Sequence, residues 1–532
     1  MPSLTRSFCL LLALLTVGVG RVPAQPVGDD VWEQIQEAKG SLQSYYEDIA
    51  ALPAEETSYQ LLFEAWSLTQ PLPYGRDGLP LISDRTLHPD EETWSRIERW
   101  VRSAGHDEVF ELILQAGESK LDEDEVPRVG RIFGLPYGDA GLEEEYLIAD
   151  FIASDDAVVQ LGGEAFAYMA ALEDLRQLVF AEAYRRAESG ELYEACELLV
   201  AWVRVGRQIA DRRFFGEKVY GIGTMIESTR IMRNILYRHR GDMTVDEHRD
   251  IVDSLGALLL ERIRFPEADY WALLSIIGDT FVRRGGPKDE VFIETFARMQ
   301  SLSAPLTRFQ VRQHWQQVEG QHAGYFETVD ELKKVWGDWE FRWNIEDPYD
   351  AAVQGSTYFD RLSPSARRSF ETIVVTMGPL DMLEEIRQDL QVAIGGTRVS
   401  LGVLGYEVKH RDLPANIDGI APIHIPTIPT DPFDDREQRT KRRLQYFVPV
   451  RDYPPVAPRE VPRPYAVQLH SRISGAAPVI EFNDAGRYDE FLVYSKGKDL
   501  RNDFLHEDDA DTGDIMIWPP LEELLRSKGL WP

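Results

Sequence analysis

The sequence predicts a mainly α protein: an antiparallel helical array followed by a smaller α+β domain that joins a long helix to antiparallel strands. Three observations carry this. From Val31 to about Asn344 apolar residues recur at helical spacing almost without a break. A second long stripe runs through Leu383, Ile386, Leu390, Ala393, Thr397, Leu401, Leu404 and Val408. Past His410 the texture changes. Proline becomes dense up to Pro464, and a short apolar run, Phe491 to Tyr494, reads as a strand that stops at Gly497.

At 532 residues the chain is too long for one simple core, so more than one domain is expected. A composition of 43% hydrophobic and 28% charged residues is globular. The formal net charge of -33 argues against nucleic acid and anionic membrane surfaces as partners. Residues 1–24 read as a signal peptide: Arg6 supplies the positive start, Phe8 to Val19 the apolar run, and Val22-Pro23-Ala24 a small-residue cleavage site before Gln25. No later stretch reaches ~18 apolar residues, so no integral span is expected once the signal is removed. The expected location is therefore exported, periplasmic or extracellular. Apart from Cys9 in the signal the only cysteine is Cys196, which excludes an internal disulfide.

In chain order, Trp94, Ile97 and Val101, then Val109, Leu112 and Ile113, predict helices on either side of Gly105. Residues 121–141, with Pro127 and Pro136, read as the longest loop of this half. Residues 165–187 and 192–210 form a helical pair turned at Ser189-Gly190. The second is apolar nearly all round, so it belongs at the centre of the core, with Cys196 as a small core hydrophobe. Ile222, Met225, Ile226, Thr229, Met232, Ile235 and Leu236 mark a further helix, closed by Arg238, His239, Arg240 and Gly241. Gly221 and Gly223 within it read as packing positions. Thr244 with Glu247, and Thr328 with Glu331, read as capping boxes. A connecting helical segment spans 345–380, with Ser363 and Pro364 opening a helix to about Met377. Gly395 and Gly396 interrupt the last long stripe at ~1 kcal/mol each relative to alanine, and mark a bend or a close approach. The domain 381–532 carries a proline-rich insertion at about 447–490, and Glu522 to Ser527 is a short last helix.

The densest chemistry follows Gly497. Asp499, Asp503, Glu507, Asp508, Asp509, Asp511 and Asp514 share one short stretch with a single cation, Arg501. So many carboxylates repel one another unless a hard, oxygen-seeking cation sits among them, and calcium is the natural choice.

The region from about Gly395 to Pro519 resembles the C-terminal domain of the major pseudopilin of type II secretion systems, as found at the ends of secreted bacterial proteins. The matching residues run in order: Tyr406; Pro414, Ile417 and Ile420; Pro426, Pro429 and Asp431-Pro432-Phe433; Leu444-Gln445-Tyr446; Tyr494-Ser495-x-Gly497-x-Asp499; and Asp511 to Ile515. The resemblance implies a pseudopilin-like α+β domain with a calcium ion held by Asp499, Asp511 and Asp514. The family's N-terminal processing site and apolar assembly helix are absent, which argues against assembly into a pseudopilus.

No Gly-rich phosphate loop, Gly-x-Ser-x-Gly elbow or His-Glu-x-x-His helix is present. His248, His314 and His322 have no partner at ligand spacing. The expectation is an exported, non-catalytic interaction or scaffold protein of the cell envelope, its C-terminal domain stabilised by calcium. The alternative is a secreted helical carbohydrate-active hydrolase or lyase with an accessory calcium domain, since a glycosidase needs only two carboxylates placed in space.

Overall fold

The computed structural model describes residues 28–75, 80–82, 87–121, 127–139, 141–162, 165–259, 262–282, 290–291, 314, 317–318, 320–345, 350–436, 442–452, 465–468, 479–482, 490–502, 505 and 513–531. The signal segment 1–24, the prolines from Pro454 to Pro464 and the predicted ligand Asp511 lie outside them.

The chain is mainly helical. Its principal helices are α1 (Gly28–Ala50), α2 (Tyr59–Leu68), α3 (Trp94–Val101), α4 (His106–Ala116), α5 (Tyr168–Glu188), α6 (Leu192–Ala210), α7 (Phe215–Arg238), α8 (Val245–Ala257), α9 (Glu267–Thr280), α10 (Tyr325–Trp343), α11 (Leu380–His410) and α12 (Leu521–Ser527). None of the described helices is long and apolar enough to cross a membrane. The apolar girdle of α6 places it centrally, against α4, α5, α7 and α8, with Trp202 and Cys196 fully buried. Burial pushes the Cys196 thiol upward, away from the reactive thiolate. The α6–α7 contact is backbone-close: a Cβ on Gly221 would stand 2.5 Å from Gly206 O and Ala210 N. Gly221 is a packing position, as its place in the helical stripe predicts, but Gly223, read the same way, is not, since a Cβ there would meet nothing within 4 Å.

The capping box of Thr244 and Glu247 forms as expected and opens α8. The second does not. Helix α10 starts a turn earlier, where Glu327 Oε2 accepts the Gly324 N–H at 2.7 Å, and Thr328 lies inside the first turn. The helix expected from Ser363 to Met377 is two short ones, Pro364–Ser369 and Glu371–Thr376, broken at Phe370. The stretch 121–141 also departs from a plain surface loop. After a short antiparallel pair, Ser119–Leu121 with Pro127–Val129, the chain threads the core with Phe133, Leu135 and Tyr137 buried. Its backbone is paired there, Ser58 N–H to Ile132 O and Tyr59 N–H to Phe133 O.

Helix α11 runs unbroken through Gly395 and Gly396 for 31 residues, about 46 Å. The glycines mark a close approach: a Cβ on Gly396 would stand 2.5 Å from Ile517 Cδ1. One face of α11 lies on α7 and α8, and the other carries a three-stranded antiparallel sheet. The described strands of the C-terminal region are β1 (Gln445–Phe447), β2 (Tyr465–Gln468), β3 (Val479–Phe482), β4 (Leu492–Ser495) and β5 (Ile515–Trp518). The sheet order is β1-β4-β5, with Tyr446 opposite Val493 and Ser495 opposite Ile515. The insertion between β1 and β4 contributes its own antiparallel pair, β2 with β3. Trp518 stacks on Phe491 at 5.4 Å and meets Tyr237 of α7 edge-on at 5.5 Å. Each such buried aromatic contributes about 1.5–3 kcal/mol of burial free energy. The sheet and the helical array therefore share one apolar core, and a smaller cluster around Leu492, Tyr494 and Leu505 lies apart from it.

Candidate functional site

Strand β4 ends at Ser495, and Ser495 faces Ile515, the first residue of β5. The acidic connection thus leaves and re-enters the sheet at one place. Gly497 turns the chain at φ 68°, a left-handed conformation that favours glycine, and Leu500 repeats it at φ 63°. Asp499 is half-buried, and its Oδ1 accepts the Arg501 N–H at 2.9 Å. Asp514 directly precedes β5; its Oδ2 accepts the Leu505 N–H at 2.8 Å and its Oδ1 is shielded from solvent. The structure therefore sets two of the three predicted ligands at opposite ends of one connection tied at its base. The third, Asp511, falls outside the described residues, and among those described no group of three metal-binding side chains forms. By donor type the connection suits a hard cation, with carboxylate oxygens beside a backbone whose turns can expose carbonyls.

The lysines at the mouth of this connection are directed elsewhere. Lys498 Nζ donates to Glu385 of α11 at 2.9 Å, and Lys496 Nζ to Asp434 at 3.2 Å. Below them Asp431, fully buried, clamps the strand end: its Oδ1 accepts Ser495 Oγ–H at 2.7 Å and Phe433 N–H at 3.0 Å, and its Oδ2 the Lys496 N–H at 3.3 Å. Burial pushes the Asp431 carboxyl up to about 6 in spite of these donors. Burial acts upward on Asp434 as well, but hydrogen bonds from Arg436 and Lys496 hold it below its ordinary value. Asp431 belongs to the Pro-x-Asp-Pro-aromatic string. Asp434 carries no comparable sequence signal.

No protein-family model matches the chain, and neither does any curated protein or solved structure. The remaining candidates come from geometry alone.

Deep in the array, Glu217 accepts hydroxyls from Tyr137 at 2.7 Å and Tyr168 at 2.8 Å and the Arg212 Nε–H at 2.5 Å. Arg212 also donates to Leu135 O at 2.8 Å and lies 4.3 Å over the Tyr137 ring. Beside it Lys218 Nζ donates to the Ala210 and Arg212 carbonyls, and burial lowers it to about 7. All these groups are buried, so the network locks the threaded segment to the α6–α7 turn.

The three histidines noted in the sequence are engaged: His248 Nδ1 with Thr244 O at 2.7 Å, His314 Nε2 with Glu371 at 2.7 Å, and His322 with Ala323 O and Thr372. The last candidate is a cleft of about 670 Å³ where α7, the end of α11 and α12 meet. Arg238, Arg240, Arg411 and Arg526 line it, together with Asp90, Glu407, Glu490 and Glu523. Its carboxylates are largely paired: Asp90 with Arg238, Glu407 with Arg240, and Glu523 with the buried His88 at 2.6 Å. Sequence reasoning missed this cleft because its arginines come from distant elements.

Proposed function

We propose that the chain is an exported, non-catalytic interaction or scaffold protein of the cell envelope, with a pseudopilin-like C-terminal domain stabilised by calcium. The observation that carries this reading is the placement of Asp499 and Asp514 at the two ends of a connection closed by the Ser495–Ile515 pair. Both lysines at its mouth are turned to other acids. A calcium ion would draw these carboxylates together with Asp511 and backbone carbonyls, and would relieve their mutual repulsion. The non-catalytic part is supported by the cleft, where Asp90 and Glu407 are held in ion pairs with Arg238 and Arg240, and Glu523 is hydrogen-bonded to the buried His88. A glycosidase acid or base must be able to exchange its proton with substrate, and a carboxylate held by a cation is a poor acid.

Scanning calorimetry in calcium and in chelator tests the proposal. Exported modules bind calcium at ~0.1–1 mM, and free calcium at ~100 times Kd stabilises by ~2.7 kcal/mol. For a chain this long that is a rise in Tm of about 3 °C. Magnesium, which demands a tighter octahedron and gives up water reluctantly, should have a much smaller effect. Equal Tm in calcium and chelator would leave only a solvated acidic loop.

A further inference from the structure

We propose that residues 420–425 are an acid-released strap, docked across α8 and α11 while the His424 ring is neutral and lifted when it takes up a proton. After α11 ends, the chain makes a 3-10 turn, Ile417–Ile420, and runs back over the helix. A Cβ on Gly402 would meet Ile420 Cδ1 at 3.1 Å and Ile425 Cβ at 3.7 Å, and both isoleucines are fully buried there. The backbone bonds of the strap are local turns, Ala421 N–H to Asp418 O at 3.2 Å and His424 N–H to Ile420 O at 2.8 Å. What it buries therefore holds it down. The stronger ties lie just before it, on the sheet side: Pro414 O accepts from Tyr446 and Arg451, and Asp418 pairs with Arg443. They stay in place when the His424 end lifts.

His424 is the group on which docking turns. It is 3% exposed, and its Nε2 is closed to solvent without a hydrogen-bond partner. Its ring meets Tyr406 edge-on at 5.6 Å and His410 at 6.2 Å. A Cβ on Gly405 would stand 3.2 Å from His424 Nδ1 and 3.3 Å from His248 Cβ, so two buried histidines close on one point of α11. A neutral imidazole has one N–H and one lone pair, whereas the protonated ring has N–H on both nitrogens. Protonation would thus make Nε2–H a charged, buried donor with no acceptor.

The charged groups that act on His424 most strongly are cations, Lys409 and His410 of α11 and His248 and Arg249 of α8. Burial first, and these cations after it, push the imidazole from an ordinary 6.5 down to about 4. Burial lowers His248 as well, and its charging would add to the repulsion. A histidine lowered in the docked state contributes docking that is complete above its ordinary value and is lost as pH falls toward the docked one. From these two values, docking weakens about 20-fold between pH 7.5 and pH 5.2. Lifting the strap uncovers Gly402 and Gly405 and frees two apolar side chains, so acid exposes a face of α11 that is covered at neutral pH.

The test is amide hydrogen exchange of the full chain at pH 7.5 and pH 5.2, both above the isoelectric point of about 4.7. Rates are corrected for the intrinsic pH dependence of exchange. The amides of Ala421, His424 and Ile425 should lose protection about 20-fold at the lower pH, while those of the central helix α6 keep theirs. His424→Leu fills the same space without a titrating group, and there the loss should fall below about threefold. Because His424 is buried, Lys409→Gln decides the matter should that variant not fold. Lys409 is exposed, and removing its charge should reduce the loss about twofold or more with circular dichroism unchanged. No loss at pH 5.2 in the native chain would overturn the proposal. So would an unchanged loss in folded His424→Leu or, where that variant does not fold, in Lys409→Gln. None of these residues belongs to the acidic connection, so the result does not depend on calcium.

Discussion

An alanine methyl at Gly396 would meet Ile517 Cδ1 at 2.5 Å and Cγ2 at 2.6 Å, and Ile517 is itself buried between α11 and the sheet. Gly396→Ala should therefore destabilise the fold by about 1–3 kcal/mol through overpacking, despite its better helix propensity. Gly223 is the internal control, since a Cβ there would meet nothing within 4 Å. Gly223→Ala should stabilise by about 0.5–1 kcal/mol. Denaturant titrations of both variants check this, and shifts of the same sign would contradict it. Asp431 gives a pH dependence at the same scale. Its carboxyl is raised from an ordinary 3.8 to about 6 by burial. An acid raised in the folded state contributes stability that is fully present below its unfolded value and is lost as pH rises through the folded one. Asp431→Asn should therefore cost more stability near pH 4 than near pH 7.5, by on the order of 2–3 kcal/mol. Equal costs at the two pH values would show that the hydrogen bonds from Ser495 and Lys496 outweigh burial.

Among the elements, the helices were legible because their signal is local. The boundaries of α6, the buried girdle around Trp202 and the cap at Thr244 each follow from spacing within a few residues. The second cap failed because Thr328-to-Glu331 and Gly324-to-Glu327 share one spacing, and only the backbone shows which pair stands at the helix start. The threaded segment around Tyr137 was illegible for a different reason. Its polar partner, Glu217, lies 80 residues away, and nothing near Tyr137 announces burial. That network should dominate the stability of the α6–α7 turn. Glu217→Gln leaves the Arg212 guanidinium buried without its counter-charge and should cost about 3–5 kcal/mol. Tyr137→Phe removes one hydroxyl from the carboxylate and should cost about 1.5–3 kcal/mol. Urea unfolding of the two variants checks the order, and a Glu217→Gln cost below that of Tyr137→Phe would contradict it.

At the scale of the whole molecule, α11 is both the long helix of the α+β part and a wall of the helical array. Arg233 of α7 reaches the Ala393 carbonyl and Thr397 on it, and Arg398 of α11 donates back to Val252 of α8. The change of texture past His410 predicts the sheet but not this shared core, because apolar positions do not reveal which neighbour they will face. The acidic connection was legible at its two ends, where a strand run stops at Gly497 and another starts at Ile515. The arginine cleft was not, since its cations lie far apart along the chain and only folding gathers them. The central claim is that the connection between β4 and β5 holds calcium. Calorimetric titration of calcium into the chelator-stripped full chain tests it most directly. The account predicts one site with Kd ~0.1–1 mM, lost in Asp499→Ala and in Asp514→Ala and kept in Asp503→Ala. No binding heat, or binding that survives both of the first two substitutions, would contradict it.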